Sequence, residues 1–328
     1  GSTANLQWQH IKWAKKYIND KRVGNKPKKI EDVLKTGDVI YIEQLDNSDY
    51  ALAQLPEVAA AFISLNPQNG AINALIGGFD YYHSKFNRVI QAKRQPGSNF
   101  KPFIYSAALN KGYTAATLIN DAPVVFKDSY LEGFWRPNNY SGKFFGPTRL
   151  RKGLIKSRNL VSIRILRDIG IDYTIDYVKR FGFIADDLPK NLSLALGSAD
   201  LTPIQVARGY AILANGGYNV KPWFIERIED AHHNVIFQQK SPRVCSEDYP
   251  VDDCPEDKNQ HAERVIAEDN VFLMTSIMRD VINHGTGRKA LKLGRKDLAG
   301  KTGTTNDQLD AWFSGFNRQI TATAWVGF

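Results

Sequence analysis

Cysteine is nearly absent from this chain. Its two thiols, Cys245 and Cys254, bracket the polar stretch "CSEDYPVDDC". Such a pair suits a disulfide in an oxidising compartment, with two free surface thiols as the plain alternative. The nearest histidines, His232, His233 and His261, show no ligand spacing, so no metal is expected. Long apolar runs are missing as well. Nothing approaches the ~18–20 residues that span a bilayer, and no signal-peptide pattern opens the chain. Gly1-Ser2 looks like a cloning scar, so the expectation is a soluble fragment from which any natural anchor has been removed.

Acidic residues are in deficit. Asp and Glu number 34 against 43 Lys and Arg, a net charge of +9. The surplus is scattered (Lys26 to Lys29, Arg149 to Lys156, Lys289 to Lys296) and no zinc finger or RNA-recognition signature goes with it. That argues against a nucleic-acid partner. A solvated basic surface fits best, and attraction to an acidic extracellular polymer is the functional alternative. What is present in ordinary amount is core material: 43% apolar and 23% charged residues suit one large domain or two, not a disordered tail.

Residues 1–52 differ in character from the rest of the chain. They mix a short helix, a Gly/Pro/Lys-rich stretch and one strand, Val39 to Glu43, and are too few to hold much core. They read as a linker or part of an accessory module, with 53–328 as the main domain. From Pro56, "VAAAFISLNPQNGAINALIGGF" is two apolar strands around an Asn-Gly turn. A helix is expected over Asn99 to Lys111, ended by Gly112. Residues 120–148 read as loop, with clustered aromatics (Phe134, Trp135, Tyr140, Phe144, Phe145) that either line a cleft or form a satellite core. Helices are expected at 149–156, 159–168, 173–181 and 203–214, the last with Thr202 as N-cap and Pro203 at its first position. A small hairpin at 226–239, a polar insertion at 240–264 and an amphipathic helix from Glu268 to Asn283 come next. Three strand-like runs close the chain: Asp297 to Thr304, Ala311 to Phe316 and Ile320 to Phe328. Two early strands, a helical middle and three late strands predict an α/β fold with one five-stranded antiparallel sheet covered by helices.

Three short motifs carry chemistry. Ser98 is the only serine with a lysine three places on, Lys101, which a helix would bring to the same face. A serine hydroxyl needs a neighbouring base to act as a nucleophile, and a lysine can be that base where burial and nearby positive charge keep it partly neutral. Taken alone, Ser98 is better read as a helix cap, since a Ser-x-x-Lys is expected by chance about once in a chain this long. Ser157-Arg158-Asn159 falls between two predicted helices, where a second serine can relay a proton and an asparagine amide can hold a substrate amide. Lys301-Thr302-Gly303-Thr304 lies on a late strand. Its lysine and threonines suit a carboxylate, and Gly303 leaves room for substrate beside the backbone. The N–H groups of Thr304 and Ser98 can form an oxyanion hole. Lys35-Thr36-Gly37 and Ser64-Leu65-Asn66 repeat two of these motifs ahead of Ser98 and read as structural.

The ordered set, in "RQPGSNFKPF", "KSRNLVSIRI" and "GKTGTTND" with "DAWFSGF", resembles the transpeptidase domain of class A, bifunctional penicillin-binding proteins. The resemblance covers about 53–328 and implies the fold shared with serine β-lactamases. It implies a D,D-transpeptidase acting on peptidoglycan stem peptides ending in D-Ala-D-Ala, with Ser98 as nucleophile, Lys101 as base, Ser157 as proton relay, Asn159 on the substrate amide, Lys301 setting the field, and Thr302, Gly303 and Thr304 along the substrate carboxylate. β-Lactam antibiotics would acylate Ser98. No cofactor is implied, and the full-length protein would be anchored on the periplasmic face of the bacterial inner membrane. The family's glycosyltransferase domain is not in this sequence, residues 1–52 resemble part of an OB-like insert, and the C-terminal helix that usually comes after the sheet is expected to be missing. Three rivals share the motifs. A class A β-lactamase would use a glutamate after the second motif, and none occurs between Ser157 and Glu226. A D,D-carboxypeptidase would share every catalytic residue, and a β-lactam sensor would acylate without turnover.

Overall fold

The computed structural model describes residues 3–19, 22–46, 49–128, 133–246, 254–305 and 309–328, and of 127, 128, 133 and 134 the backbone alone. Two compact units divide it, Gly1–Glu57 and Val58–Phe328. In the first, the strands Tyr17–Asn19 and Arg22–Val23 pair antiparallel, as do Tyr41–Gln44 and Tyr50–Ala53. Ile11 is the only buried hydrophobic side chain among its described residues, which fits the small core expected of so short a segment. Lys35-Thr36-Gly37 is a turn here, its Lys35 N–H held by the Asp38 carboxylate at 2.7 Å.

The second unit is built on one antiparallel sheet. Its chain order begins with β1 (Ala59–Leu65) and β2 (Ile72–Ile76), joined through the Asn66–Gly70 turn. A 3-10 turn, Gly97–Asn99, then leads into helix α1 (Lys101–Asn110). Next come β3 (Leu118–Asp121) and β4 (Gly146–Arg149), which pair with each other, and helices α2 (Leu150–Ile155), α3 (Asn159–Ile169), α4 (Ile171–Val178), α5 (Pro203–Ala214) and α6 (Glu268–His284). The last strands are β5 (Ala299–Thr304), β6 (Asp310–Phe316) and β7 (Thr321–Gly327). Across the sheet the order is β5-β6-β7-β1-β2, the five-stranded antiparallel sheet with covering helices expected from two early strands, a helical middle and three late strands.

Sequence explains the layers. α1 reads "KPFIYSAALN", with no polar stripe, and nine of its ten residues are buried. A helix apolar on every side belongs inside a core, and α1 is surrounded by α2, α3, α4 and α6. α5 packs on β1, β6 and β7, and α6 on β5. Thr202 caps α5 through a reciprocal pair with Gln205. The aromatic heart is Phe100, Phe103, Phe181, Phe183 and Tyr210, with ring centroids 4.8–5.4 Å apart around Phe103 and Phe100.

One stretch differs from the sequence reading. Residues 120–148 are not simply loop: β3 and β4 pair over four residues, and Phe126–Asp128 pairs with Gly133–Trp135. These strands are three or four residues long, too short for a two-residue alternation to stand out. The aromatics there split. Phe126 and Trp135 pack together against the core, with ring centroids 5.7 Å apart, whereas Tyr140, Phe144 and Phe145 are exposed. The Phe134 side chain lies outside the described residues. The polar insertion carries a disulfide between Cys245 and Cys254, with Cα atoms 5.9 Å apart.

Candidate active site

The 3-10 turn that carries Ser98 is pressed onto β5. Gly97 has φ +55°, and a Cβ there would lie 2.7 Å from the Thr304 carbonyl oxygen. From the β5 side, a Cβ on Gly303 would lie 2.2 Å from the Pro96 carbonyl oxygen. Only glycine allows two backbones this close. The room Gly303 leaves is therefore filled by the chain's own turn, not kept open for substrate. Asn99 fastens the contact. Fully buried, it donates from Nδ2 to the Lys301 carbonyl at 2.7 Å, accepts from the Ser314 hydroxyl at 3.0 Å, and its carbonyl accepts from the Tyr210 hydroxyl at 2.7 Å. The Trp312 indole N–H holds the Gln95 carbonyl at 2.9 Å. Ser98 itself is half-buried and caps nothing, since neither the turn nor α1 has a side-chain cap.

Ser157 sits where α2 ends. The Arg158 N–H reaches the Gly153 carbonyl at 2.8 Å and the Ser157 N–H reaches Leu154 at 3.0 Å, a pattern that normally places glycine at the left-handed residue. Here that residue is Ser157, at φ +55°. A side chain in this conformation is strained, and such strain gathers at functional sites. It aims the Ser157 hydroxyl at two lysines.

Both lysines are fully buried. Lys101 Nζ donates to the Asn159 side-chain oxygen at 2.7 Å, to the Ser157 carbonyl at 2.9 Å and to the Ser157 hydroxyl at 3.4 Å. Lys301 Nζ donates to the Ser157 hydroxyl at 3.1 Å and to the Thr302 carbonyl at 2.9 Å. Burial pushes the Lys101 ammonium well below its usual range, and the Lys301 charge pushes it further. Burial alone brings Lys301 down to about 7. Two ammonium groups sharing one serine in a dry core favour the neutral amine, the form a base requires.

The arrangement thus brings Lys101, Ser157, Asn159 and Lys301 into one hydrogen-bonded cluster. Ser98 stands apart from it, with no side-chain hydrogen bond among the described residues. Thr302 shares a hydrogen with the Thr286 hydroxyl at 2.6 Å, and Thr304 is exposed on the same strand. Sequence reasoning missed Asn99, Tyr210 and Ser314, whose partners lie more than a hundred positions away, and Thr286, 16 residues before Thr302. Ser64 is buried in β1 with an unpartnered hydroxyl. Among the described residues no group of His, Cys, Asp and Glu is placed to hold a metal ion.

Comparison with known proteins places this geometry. The model of the penicillin-binding protein transpeptidase domain matches residues 60–327. The chain belongs to that family. The penicillin-binding protein OB-like domain matches residues 1–58. Curated relatives are class A proteins named penicillin-binding protein 1A: that of Pseudomonas aeruginosa is 45% identical over the whole chain, and that of Escherichia coli 42%. The chain spans 44% of the length of each. The crystal structure of penicillin-binding protein 1A from Haemophilus influenzae superposes with TM-score 0.81 and 38% identity, over 90% of this chain and 47% of that one. PonA1 of Mycobacterium tuberculosis in complex with penicillin V, 24% identical with TM-score 0.66 over 84% of this chain and 70% of that one, shares the fold.

Proposed function

We propose that this domain is a serine D,D-transpeptidase that crosslinks peptidoglycan stem peptides ending in D-Ala-D-Ala and is acylated by β-lactams at Ser98. The observation that carries the reading is the pair of buried lysines meeting at the Ser157 hydroxyl, beside the turn that holds Ser98. Ser98 Oγ attacks the penultimate D-Ala carbonyl and gives its proton to the neutral Lys101 amine. The free enzyme keeps that amine on Ser157 and Asn159; on entry of substrate it turns to Ser98, since catalytic hydrogen bonds commonly tighten only in the complex. The oxyanion is held by the N–H groups of Ser98 and Thr304, each donor of this kind being worth ~2.7–4 kcal/mol in the transition state. Collapse breaks the peptide C–N bond. The leaving D-Ala nitrogen receives the proton through Ser157, and an ester on Ser98 remains. The amine of a neighbouring stem then attacks the ester, and Ser98 recovers its proton as the crosslink forms. Thr302, Thr304 and the Lys301 field hold the terminal carboxylate, and Asn159, with one amide N–H still free, holds the substrate backbone.

The family supports peptidoglycan synthesis at the outer face of the inner membrane as the setting, and the Cys245–Cys254 disulfide suits an oxidising compartment. Among the described residues no helix is long and apolar enough to cross a membrane.

Intact-mass analysis after brief exposure to a penicillin tests the reading. The expected result is a stable adduct on the Ser98 peptide, absent from Ser98→Ala. Destruction of the drug without an adduct would make the domain a β-lactamase, and an intact drug with no adduct would overturn the reading altogether.

A further inference from the structure

Helix α3 begins without a cap of its own: Arg158, just before it, makes no side-chain hydrogen bond to the first turn. Its leading N–H groups need acceptors from elsewhere. One amide, 20 residues upstream, supplies them. Asn139 Oδ1 accepts from the Asn159 N–H at 2.9 Å and from the Leu160 N–H at 3.4 Å. The other end of the same amide donates to Asp121 Oδ1 at 2.7 Å and to the Lys143 carbonyl at 2.9 Å. Both ends are committed, so the amide has one orientation: turned over, its nitrogen would face two N–H donors and its oxygen a carboxylate.

Asp121 closes β3 and is fully buried. Its second oxygen lies 3.8 Å from Arg158 Nε, and the Arg158 guanidinium rests 3.3 Å from the centre of the Phe145 ring. The neighbouring Asn138 carbonyl accepts from Asn159 Nδ2 at 2.9 Å. That bond turns Asn159 Oδ1 toward Lys101 Nζ, 2.7 Å away. A continuous chain of contacts thus runs from a buried carboxylate, through Asn139 and Asn159, to the lysine.

We propose that Asp121 and Asn139 are positioning residues of the reaction, holding Asn159 and through it the Lys101 amine where it can serve Ser98 and Ser157. This rests on the transpeptidase reading above. The plain alternative is that Asn139 only caps α3 and contributes to stability alone.

The two are separated by the rate constant of penicillin acylation at saturating drug, the dissociation constant of the initial complex, and the folded fraction of each variant by circular dichroism. Asn139→Ala should lower the acylation rate constant of folded protein by about 10- to 100-fold, the scale of a misplaced catalytic group, with the dissociation constant within about twofold of wild type. Asn139→Asp keeps the acceptor for α3 but sets a carboxylate against Asp121, and should lose rate similarly. Adding Asp121→Asn to Asn139→Asp exchanges donor and acceptor between these two residues, leaves the Lys143 carbonyl facing an oxygen, and should recover part of the loss. If Asn139→Ala fails to fold, this pair of variants carries the test. Wild-type acylation rates in the folded Asn139 variants, or a double variant no faster than Asn139→Asp, would overturn the proposal. Wild-type protein that is not acylated at Ser98 would instead overturn the transpeptidase reading.

Discussion

Alanine at position 303 tests how the turn carrying Ser98 is held. The added Cβ would lie 2.2 Å from the Pro96 carbonyl oxygen, 2.8 Å from Asn99 Cβ and 3.0 Å from the Asn99 nitrogen. Ordinary contact begins near 3.4 Å. The turn carrying Ser98 must therefore retreat from β5 by roughly 1 Å, because a close-packed interior offers no other relief. None of the three atoms is the free end of a flexible side chain. The turn is also pinned by the Gly97 N–H on the Gly197 carbonyl at 3.1 Å and by the Asn99 amide on Lys301 at 2.7 Å.

Forcing a methyl group into such a contact costs ~1–3 kcal/mol. For a domain of this size that lowers Tm by about 2–4 °C per kcal/mol. A catalytic group displaced by about 1 Å loses rate on the order of 10²-fold. The assay is thermal unfolding of Gly303→Ala alongside its acylation by a fluorescent penicillin over a range of concentrations. Both Tm and the saturating acylation rate should fall. Weaker initial binding with Tm and maximal rate unchanged would mean that the glycine serves substrate passage, as the sequence alone implies. A variant matching wild type in all three would refute the argument that this contact sets the place of Ser98.

Two further outcomes concern the same site. Ser157→Gly relieves a left-handed residue that costs about 1–2 kcal/mol and gives back about 0.5–1 kcal/mol of that as glycine's chain entropy. Ser157→Gly and Ser157→Ala both lose the hydroxyl that Lys101 and Lys301 share, a cost of ~1–3 kcal/mol, so the strain is read between them. The glycine variant should have the higher denaturant midpoint while acylation collapses in both, and a glycine variant no more stable than the alanine one would contradict the strain. Lys301 titrates near 7 in the folded chain, below its unfolded value of about 10.4. Between those values the unfolded chain binds more protons, so the penalty of the buried ammonium is full below pH 7 and fades as pH rises toward about 10. Tm should therefore climb with pH across this window, and the climb should shrink in Lys301→Met. Identical slopes would show that Lys301 keeps its proton when folded.

The sheet and most helices were legible from the succession of strand-like and helix-like runs between turn signals. Along β6 and β7 buried and less buried residues alternate, but the buried set of β7 holds Thr321 and Thr323 and the less buried one Ala322 and Ala324, so burial there does not follow apolarity. α5 begins at Thr202-Pro203, a start signal that needs no tertiary context. Even the burial of Lys101 was within reach, since its helix has no polar face to give it. The chain divides between Glu57 and Val58, five residues past the boundary expected at residue 52 and next to Pro56, where the apolar strands were read to begin.

What escaped is what connects distant parts of the chain. Asn99 reads locally as a residue at a helix start, yet its amide serves Lys301 and Ser314, more than two hundred positions away. Asn139 sits in a run of turn-forming residues, and only the fold shows that it caps α3. The false motifs make the same point from the other side. Ser64-Leu65-Asn66 has the spacing of Ser157-Arg158-Asn159, but β1 buries Ser64 and the turn takes Asn66. Lys35-Thr36-Gly37 has the letters of β5, but Asp38 closes it into a turn of the first unit. A three-residue motif acquires chemistry from the backbone that presents it. Here a left-handed serine, a strand with a glycine gap and a helix with no outer face converge on two lysines that water cannot reach.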